Sequence, residues 1–361
     1  MKAVRAGLPV LERYAYLNAG TNGPLPARSA EAMIRAVERD LREGRSSKVY
    51  FETMLERREQ VRAALARVLG ARPEDVALAS STTEGCNLVY TGLGIGPGIE
   101  VVTTDSEHPG LFGGLKTSGA DLVVVPLRDL PVREAGAALA AAVTERTRLI
   151  ALSHVSWLTG AVFPVEELGG RGVPVLVDGA QAAGAIPVDV EALNCDFYTV
   201  SAQKWLLGPD VTGGLWMRPG RAEELRMTFP SYGSWDWEAE ELYTPRVGAG
   251  RFDPGWTPSP SAVGLLESLA FADEAGDERF DHARAMAERC RELLAERFEV
   301  LTEPNQATLV TWKAEGDATA AVARLADADV IVREVPELGW LRASCGFWTS
   351  EEDLQGLLDA L

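Results

Sequence analysis

The chain has 361 residues, of which 46% are hydrophobic and 24% are charged. This composition is typical of a folded globular protein with enough core for two or three domains, and it excludes a disordered, collagen-like or coiled-coil chain. The 35 basic and 53 acidic residues give a net charge of −18. Because so negative a surface repels phosphate backbones, we expect no nucleic-acid partner.

Neither a membrane segment nor a secretory leader is expected. No apolar run approaches the roughly 18 residues that a membrane span needs, and residues 1–18 lack the uninterrupted apolar stretch of a signal peptide. We therefore expect a cytoplasmic protein that does not contact membranes. The four cysteines form no CxxC pair and there are three histidines, so we expect neither a disulfide framework nor a metal site.

The chain begins with two predicted helices and then alternates between strands and helices. Over residues 27–44 the apolar side chains, among them Ile34, Val37 and Leu41, fall on one helical face, and a second helix is predicted over 51–69. Seven short apolar strands follow, at 76–80, 100–104, 122–126, 148–154, 174–178, 196–200 and 213–217. Such alternation predicts a mainly parallel sheet covered by helices on both faces.

Residues 229–261 break this rhythm, because aromatic, acidic, glycine and proline residues occur there without a clear period. We predict a long structured loop or a domain crossing. Beyond it, helices are predicted at 261–275, 280–297, 317–327 and 350–361, and strands near 298–302, 307–313 and 329–333. This pattern indicates a small α+β domain in the C-terminal third.

The stretch most informative about chemistry is 174–214. Asp178 ends one buried strand and Lys204 follows the next, so both are expected at the edge of a parallel sheet where ligands bind. An acid facing a lysine suits pyridoxal phosphate, because the amine forms a Schiff base with the aldehyde and the acid keeps the pyridinium nitrogen protonated. The run SSTTEGCN at 80–87, where a strand turns into a helix, would supply N–H groups and hydroxyls for a phosphate.

Seven segments in order resemble the class V aminotransferase family of fold type I pyridoxal-phosphate enzymes, which includes cysteine desulfurases, cysteine C–S lyases and isopenicillin N epimerase-like proteins. They are YLNAGTNGPLP (16–26), STTEGCNLV (81–89), SEHPG (106–110), VDGAQAAG (177–184), SAQKWLLGP (201–209), RFDPGWTPSP (251–260) and LRASCGFWTSEEDL (341–354). The resemblance covers nearly the whole chain.

The resemblance implies three catalytic residues: Lys204 as the Schiff-base lysine, Asp178 as the partner of the pyridinium nitrogen, and His108 stacked on the ring. Further contacts with the ring oxygen or the phosphate are implied for Gln181, Thr82, Thr83, Ser201, Gln203 and, lent to the partner subunit's site, Thr257. Substrate contacts are implied for Arg342, which would take the carboxylate, and for Arg333, Trp157 and Asn18.

The resemblance also implies the fold and the assembly. We expect an α/β protein of the fold type I class, with a seven-stranded, mostly parallel sheet in a large domain (16–258) and a small α+β domain (1–15 and 259–361). A homodimer with active sites at the interface is implied, acting on a small-molecule amino-acid substrate.

Three departures from the family pattern bear on the reaction. Gln203 stands where many relatives have histidine, and Trp157 replaces an asparagine that contacts cofactor or substrate in the desulfurases. Only the eight residues EVPELGWL separate Arg333 from Arg342, where desulfurases carry a mobile loop with the cysteine that accepts sulfur. We therefore favour a β-eliminating C–S lyase acting on cysteine or an S-substituted cysteine, with an aminotransferase or an epimerase as the alternative.

Two further interpretations stay open. Ser201 and Lys204 match the SxxK pattern of serine acyl-enzymes, but the SDN element is absent and KTSG at 116–119 is a poor match for KTG, so a Ser–Lys hydrolase is a remote rival. Aromatic residues in 229–256 would fill a core or a dimer interface. Alternatively, some of them would join Trp157 in a roomy pocket that favours a cationic group.

Overall fold

A computed structural model describes residues 2–361. Its helices are α1 Lys2–Ala6, α2 Ala27–Glu43, α3 Lys48–Leu69, α4 Thr82–Leu93, α5 Pro109–Ser118, α6 Val132–Ala142, α7 Arg221–Glu224, α8 Ser259–Glu274, α9 Glu278–Ala295, α10 Ala318–Asp327 and α11 Glu351–Ala360. Its strands are β1 Ala15–Tyr16, β2 Val76–Ala79, β3 Glu100–Thr104, β4 Asp121–Val125, β5 Thr147–Ser153, β6 Val175–Asp178, β7 Phe197–Ser201, β8 Gly213–Met217, β9 Leu309–Lys313, β10 Val330–Ile331, β11 Arg333–Val335 and β12 Trp340–Ser344. Within residues 2–361, no helix has the length and apolar character to cross a bilayer.

The seven predicted strands form one sheet in the order β2-β8-β7-β6-β5-β3-β4. The five strands from β7 to β4 are parallel, and β8 runs antiparallel to both of its neighbours. Successive residues such as Leu176 and Val177 belong to separate apolar clusters on the two faces of the sheet. Both faces are covered by helices, which explains why these strands are continuous apolar runs. The predicted mostly parallel α/β fold is confirmed.

The C-terminal part is built around the antiparallel sheet β11-β12-β9, against which α9, α10 and α11 pack. The predicted strand near 298–302 is reduced to a single bridge between Val300 and Trp312. Residues 340–344 form a strand that the periodicity did not predict, because β12 is built of mixed polar and apolar residues and lies in the centre of its sheet. The short strand β1 pairs with β10 and ties the N-terminal segment to this part.

The domain boundaries remain a prediction. Near each of them, one segment packs into the core of the other part of the molecule. Leu265 and Leu269 of α8 belong to the apolar cluster on one face of the seven-stranded sheet. Leu17, just after β1, belongs to the core of the C-terminal part. The core of the large sheet therefore includes a helix from the C-terminal third, and the core of the C-terminal part includes a residue from the N-terminal segment.

A buried ion cluster fixes the segment between the seven-stranded sheet and α8. The Asp253 carboxylate accepts hydrogen bonds from Arg58 at 2.6 Å, from Arg62 at 2.6 and 3.2 Å, and from the backbone N–H of Leu78 at 2.9 Å. The side chains of Arg58, Arg62 and Asp253 are at most 5% exposed. Since each buried charge needs its partner, the cluster holds residues 249–257 against α3 and β2.

We expect Asp253→Asn to lower the free energy of unfolding by about 3–5 kcal/mol, because Arg58 loses its charged partner and Arg62 keeps only the exposed carboxylate of Glu59. Chemical denaturation monitored by circular dichroism measures the loss. Glu238→Gln is the matched control, since this acid of the neighbouring segment is exposed and should change stability by less than about 0.5 kcal/mol. Equal stability of the two variants would contradict this account of the cluster.

Candidate active site

A cavity of ≈ 180 Å³ lies at the carboxyl ends of the parallel strands, with walls from the N-terminal segment, the seven-stranded sheet and the C-terminal part. Its lining includes ten of the thirteen residues predicted from the sequence: Thr82, Thr83, His108, Trp157, Gln181, Ser201, Gln203, Lys204, Arg333 and Arg342. Residues distant in sequence thus meet because parallel strands end at the same edge of a sheet.

Asp178 and Lys204 face each other across the inner end of this cavity. Asp178 is the last residue of β6, Lys204 follows the adjacent parallel strand β7 by three residues, and both line a small recess that continues the cavity inward. Burial lowers the pKa of the Lys204 amine to about 8, although the charge of Asp178 works in the opposite direction. A large share of this amine is therefore neutral near pH 8, as a nucleophile or base requires.

Burial also acts on the carboxylate. It raises the pKa of Asp178 above the ordinary value, against the favourable effects of the Lys204 charge and of the Ala180 N–H, which donates to the carboxylate at 2.8 Å. Asp178 is 3% exposed. A second cationic partner would stabilise the ionised form of this buried carboxylate, and a protonated ring nitrogen is such a partner.

His108 caps the first turn of α5 and presents its ring to the cavity. Its Nδ1 accepts a hydrogen bond from the Gly110 N–H at 3.0 Å, so the ring proton resides on Nε2. Burial, together with the positive charges of Lys204 and two arginines, lowers the pKa of His108 to about 4. The ring is therefore neutral at physiological pH. The indole of Trp157 meets it edge-on, with 5.1 Å between ring centroids.

The wall formed by the start of α4 and by Ser201 and Gln203 combines the hydrogen-bond donors that a phosphate needs. Helix α4 starts at the cavity, and its first N–H, that of Thr82, donates to the Ser201 hydroxyl at 2.9 Å. The Gln203 side-chain oxygen is buried and, among the described residues, has no hydrogen-bond partner. Because an amide can present either its oxygen or its NH₂, this side chain can serve an incoming anion. Hydroxyls, an unpaired amide and a helix N-terminus together fit a phosphate group.

The N-terminal segment closes the cavity from above. The Gln181 amide donates to the Gly20 carbonyl at 2.9 Å, and its oxygen accepts from the Trp205 indole at 2.9 Å. The Gly23 N–H donates to the Gln203 carbonyl at 2.8 Å. A Cβ at position 23 would lie 2.1 Å from the Lys204 carbonyl oxygen, so only glycine lets the segment approach the lysine this closely.

Two arginines face each other on the antiparallel strands β11 and β12. Arg333 is the register partner of Arg342; it donates to the Thr21 hydroxyl at 3.1 Å, and Arg342 donates to the Trp157 carbonyl at 2.6 Å. Burial and the neighbouring Arg333 charge lower the pKa of Arg342 to about 9. Among the described residues, no acid pairs with either guanidinium, and the buried Arg342 Nε has no acceptor. The cavity therefore attracts a carboxylate.

Of the other three predicted residues, Asp178 lines the inner recess and two line neither space. Asn18 lies behind Thr21, whose hydroxyl donates to the Asn18 side-chain oxygen at 2.8 Å. Thr257 lies in a separate surface depression with Ser80 and Glu84, where its hydroxyl is buried without a partner among the described residues. Contacts of these two residues with substrate or cofactor stay predictions.

Sequence reasoning missed three residues of the site. Thr21 and Ser81 line the cavity, and their signals were their places in the quoted N-terminal and phosphate-loop segments. Glu107 is buried directly before His108, and burial raises its pKa to about 7. Its only sequence signal was its place in the SEHPG segment, because its partners lie on two other chain segments.

The aromatic segment does not share this cavity. Tyr232, Trp235, Trp237 and Trp256 line a separate surface groove of ≈ 1070 Å³, whereas Trp157 lines the cavity with Lys204. Within one chain, the structure therefore does not bring these aromatic side chains together with Trp157.

Comparison with known proteins gives a consistent result. The model of the aminotransferase class-V family matches residues 16–357. Isopenicillin N epimerase of Streptomyces clavuligerus is 32% identical, covering 96% of this chain and 93% of that protein. A probable cysteine desulfurase of Methanothermobacter thermautotrophicus is 26% identical, covering 99% of this chain and 96% of that protein.

Solved structures of C-DES are similar over 98% of both chains, at 29% identity. One is the cystine C–S lyase C-DES in complex with its reaction product cysteine persulfide, with a TM-score of 0.92. The other is a lysine-to-alanine variant of C-DES with glycine covalently linked to the pyridoxal-phosphate cofactor, with a TM-score of 0.93.

The depressed pKa of Lys204 yields a pH prediction. When pyridoxal phosphate is added to the cofactor-free chain, the rate of its attachment should rise with pH and level off above a midpoint near 8, because only the neutral amine attacks an aldehyde. Absorbance in the violet, followed by borohydride trapping and peptide mapping to Lys204, measures this.

Asp178→Asn is the matched variant. Since the Asp178 charge raises the pKa of the lysine, its removal should shift the midpoint to lower pH, and Lys204→Ala should abolish trapping at this position. A rate that keeps rising to pH 10 in the unaltered chain would contradict the assignment.

Proposed function

The chain belongs to the class-V aminotransferase family of pyridoxal-phosphate enzymes, and from this premise we propose that it is a β-eliminating lyase that breaks the C–S bond of cysteine or of an S-substituted cysteine. The observation that carries the proposal is the composition of the cavity, in which one amine faces one carboxylate and two arginines stand without an acidic partner among the described residues.

Different residues of the cavity would bind different parts of the cofactor. Asp178 would hold the ring nitrogen of pyridoxal phosphate, Gln181 would donate to its phenolic oxygen, and His108 would stack on its ring. The phosphate of the cofactor would contact Thr82, Thr83, Ser201 and Gln203. The bound cofactor supplies an aldehyde that links to an amine and an electron-accepting ring that stabilises negative charge at the substrate Cα.

Arg342 would orient the substrate, because its buried Nε has no acceptor among the described residues and a guanidinium can present two parallel N–H groups to a carboxylate. Its position is held by the bond to the Trp157 carbonyl. Arg333 adds a second positive charge, which suits a substrate with another carboxylate at its far end. A disulfide of two cysteines is such a substrate, and C-DES is described as a cystine C–S lyase.

Lys204 would move the proton. Its amine would remove the Cα proton of the bound substrate, since burial lowers its pKa to about 8 and so leaves a fraction of it neutral at neutral pH. The Cβ–S bond then breaks, the sulfur leaves with its electron pair and takes up a proton, and hydrolysis of the remaining fragment yields pyruvate and ammonia. The neutral ring of His108 would cover one side of the reacting centre.

Direct elimination is supported over a persulfide-forming reaction by the hairpin between the arginines. Residues 336–339 join β11 to β12 and contain no cysteine. All four cysteines of the chain are buried. Burial raises the pKa of Cys195 to about 12 and that of Cys86 well above its ordinary value, so these thiols lack the thiolate character that accepts sulfur.

Epimerisation is the second candidate, because isopenicillin N epimerase of Streptomyces clavuligerus matches nearly the full chain at 32% identity. The same Lys204 would then remove the Cα proton and a proton would return on the opposite face. Such a reaction needs no leaving group at Cβ. A transaminase would share these groups and would require a 2-oxo acid.

A homodimer is supported by the distribution of exposed apolar side chains. The face of α2 that the sequence marks as apolar is solvent-exposed, with Ile34 58%, Val37 54% and Leu41 84% exposed. Further exposed apolar residues lie on the first turns of α3 and in the aromatic segment: Val49, Phe51, Leu55, Tyr232, Trp237, Val247 and Trp256. Two of these residues, Phe51 and Trp256, contact each other with 5.9 Å between their ring centroids. A second copy of the chain would cover this face.

We expect the purified holoenzyme to release pyruvate from cystine and other S-substituted cysteines without an added 2-oxo acid. A coupled lactate dehydrogenase assay measures this, and Lys204→Ala should abolish turnover. Arg342→Lys should raise KM by about ten-fold or more, because a bidentate contact is lost. Racemisation of an amino acid without pyruvate would favour the epimerase, and dependence on a 2-oxo acid would favour the transaminase.

The dimer is tested by complementation between subunits. Lys204→Ala and Thr257→Glu chains should each be nearly inactive alone, the second because its carboxylate would repel the phosphate in the partner's site. Co-expressed, they should recover about a quarter of the unaltered activity, since about half of the dimers are hybrids with one intact site.

The matched control is co-expression of Lys204→Ala with Asp178→Asn. Both residues line the same cavity of one chain, so no hybrid contains an intact site and activity should stay low. Recovery in this control, or its absence in the first pair, would contradict the proposed contribution of Thr257 to the partner subunit.

A further inference from the structure

Among the described residues, Glu107 and Asp178 are the buried carboxylates near the cavity, and the proposed reaction gives Glu107 no role. Its side chain accepts hydrogen bonds from the Thr104 hydroxyl at 2.6 Å, from the Ser153 hydroxyl at 2.6 Å and from the Ser153 N–H at 2.9 Å. Thr104 is the last residue of β3, and Ser153 is the last residue of β5. The carboxylate therefore bridges the carboxyl ends of two adjacent strands.

We propose that Glu107 is a positioning residue that holds His108 and the floor of the cavity in place. This inference rests on the proposed function of the cavity. Glu107 directly precedes His108 in the chain, and Ser153 lines the recess with Asp178 and Lys204. Ser153 is also the register partner of Asp178 between β5 and β6. One carboxylate thus fixes both the loop that carries the imidazole and the strand end beside Asp178.

The loop is held from its other side by a second acid. The Asp105 carboxylate accepts hydrogen bonds from the N–H groups of Leu127 and Arg128, at 2.8 and 3.0 Å, just beyond β4. The Ser106 N–H donates to the Thr104 hydroxyl at 3.1 Å. Residues 105–108 are therefore tied to β4 on one side and, through Glu107, to β5 on the other. Without Glu107 the loop would lose its attachment to β5, and the ring of His108 would lose its fixed position beside the recess.

The same two strands carry an equivalent bridge at their opposite ends. Glu100 starts β3, and its carboxylate accepts hydrogen bonds from the hydroxyls of Thr144 at 2.6 Å and Thr147 at 2.7 Å, the latter the first residue of β5. Glu100 is 3% exposed, and it lies at the edge of the sheet away from the cavity. It is a matched control, since its removal breaks the same kind of contact between the same strands.

The experiment compares Glu107→Ala with Glu100→Ala in the reconstituted enzyme. Both should lower the thermal unfolding midpoint. Only Glu107→Ala should raise the dissociation constant of pyridoxal phosphate and shift the visible absorbance band of the bound cofactor. Only this variant should also lower kcat, by about ten-fold to a hundred-fold, because a misplaced ring changes the geometry of the site. KM should change by less than about three-fold, since the substrate arginines lie on β11 and β12.

Glu107→Gln should restore cofactor affinity and kcat. Its amide oxygen can accept from Ser153 and its NH₂ can donate to the Thr104 hydroxyl, whose hydrogen is free to rotate. If Glu107→Ala does not fold, Thr104→Val provides the same test, because it removes one arm of the bridge while keeping the shape of the side chain. It should change the spectrum in the same direction by a smaller amount.

Two results would overturn the proposal. One is a cofactor affinity and spectrum in Glu107→Ala that match those of Glu100→Ala, with only the unfolding midpoint lowered. The other is a Glu107→Gln variant as impaired as Glu107→Ala, which would assign the effect to charge instead of to hydrogen bonds. Cofactor binding does not depend on the substrate, so a failure of the lyase assay leaves this comparison intact.

Discussion

The site depends on one buried electrostatic interaction, between the charges of Lys204 and Asp178, which line the same recess. The two residues lie at the ends of adjacent parallel strands, and a parallel sheet brings such ends to one edge whatever their separation in sequence. Burial acts on both groups in the direction of their neutral forms, and each charge offsets part of that effect on the other. An amine whose pKa is lowered to about 8, near a carboxylate that a cationic partner would stabilise, follows from this arrangement.

The remaining walls of the cavity come from parts of the chain that the sheet alone would not bring together. Strand β1 joins β10 and carries the segment of Gly20 and Gly23 over the lysine. The C-terminal sheet contributes Arg333 and Arg342. The cavity is thus enclosed by polar contacts between the two parts of the molecule, and its two guanidinium groups, which have no acidic partner among the described residues, attract a carboxylate.

The sequence predicted the large sheet well, because fully buried strands are short apolar runs separated by helices, and each run could be recognised independently. It predicted the C-terminal sheet less well. Residues 298–302 form a single bridge, and β12, with Arg342 at its centre, was not recognised as a strand. Arg342, in the middle of β12, lines the cavity. A charged residue therefore interrupts the apolar alternation that marks an ordinary half-buried strand. Glu107 was missed for a related reason, since nothing in the local sequence shows that its partners are Thr104 and Ser153.

The sequence by itself determined the α/β fold through local periodicity, and its resemblance to the class V aminotransferases implied the cofactor and most of the residues that line the cavity. Only the tertiary structure decided that Arg342 is held by the carbonyl of Trp157, that Glu107 bridges β3 and β5, and that the apolar face of α2 lies on the surface. The physical reason is that periodicity identifies an apolar face or a polar side chain but not its partner. That partner lies on a distant segment of this chain or, for α2, would be supplied by a second copy.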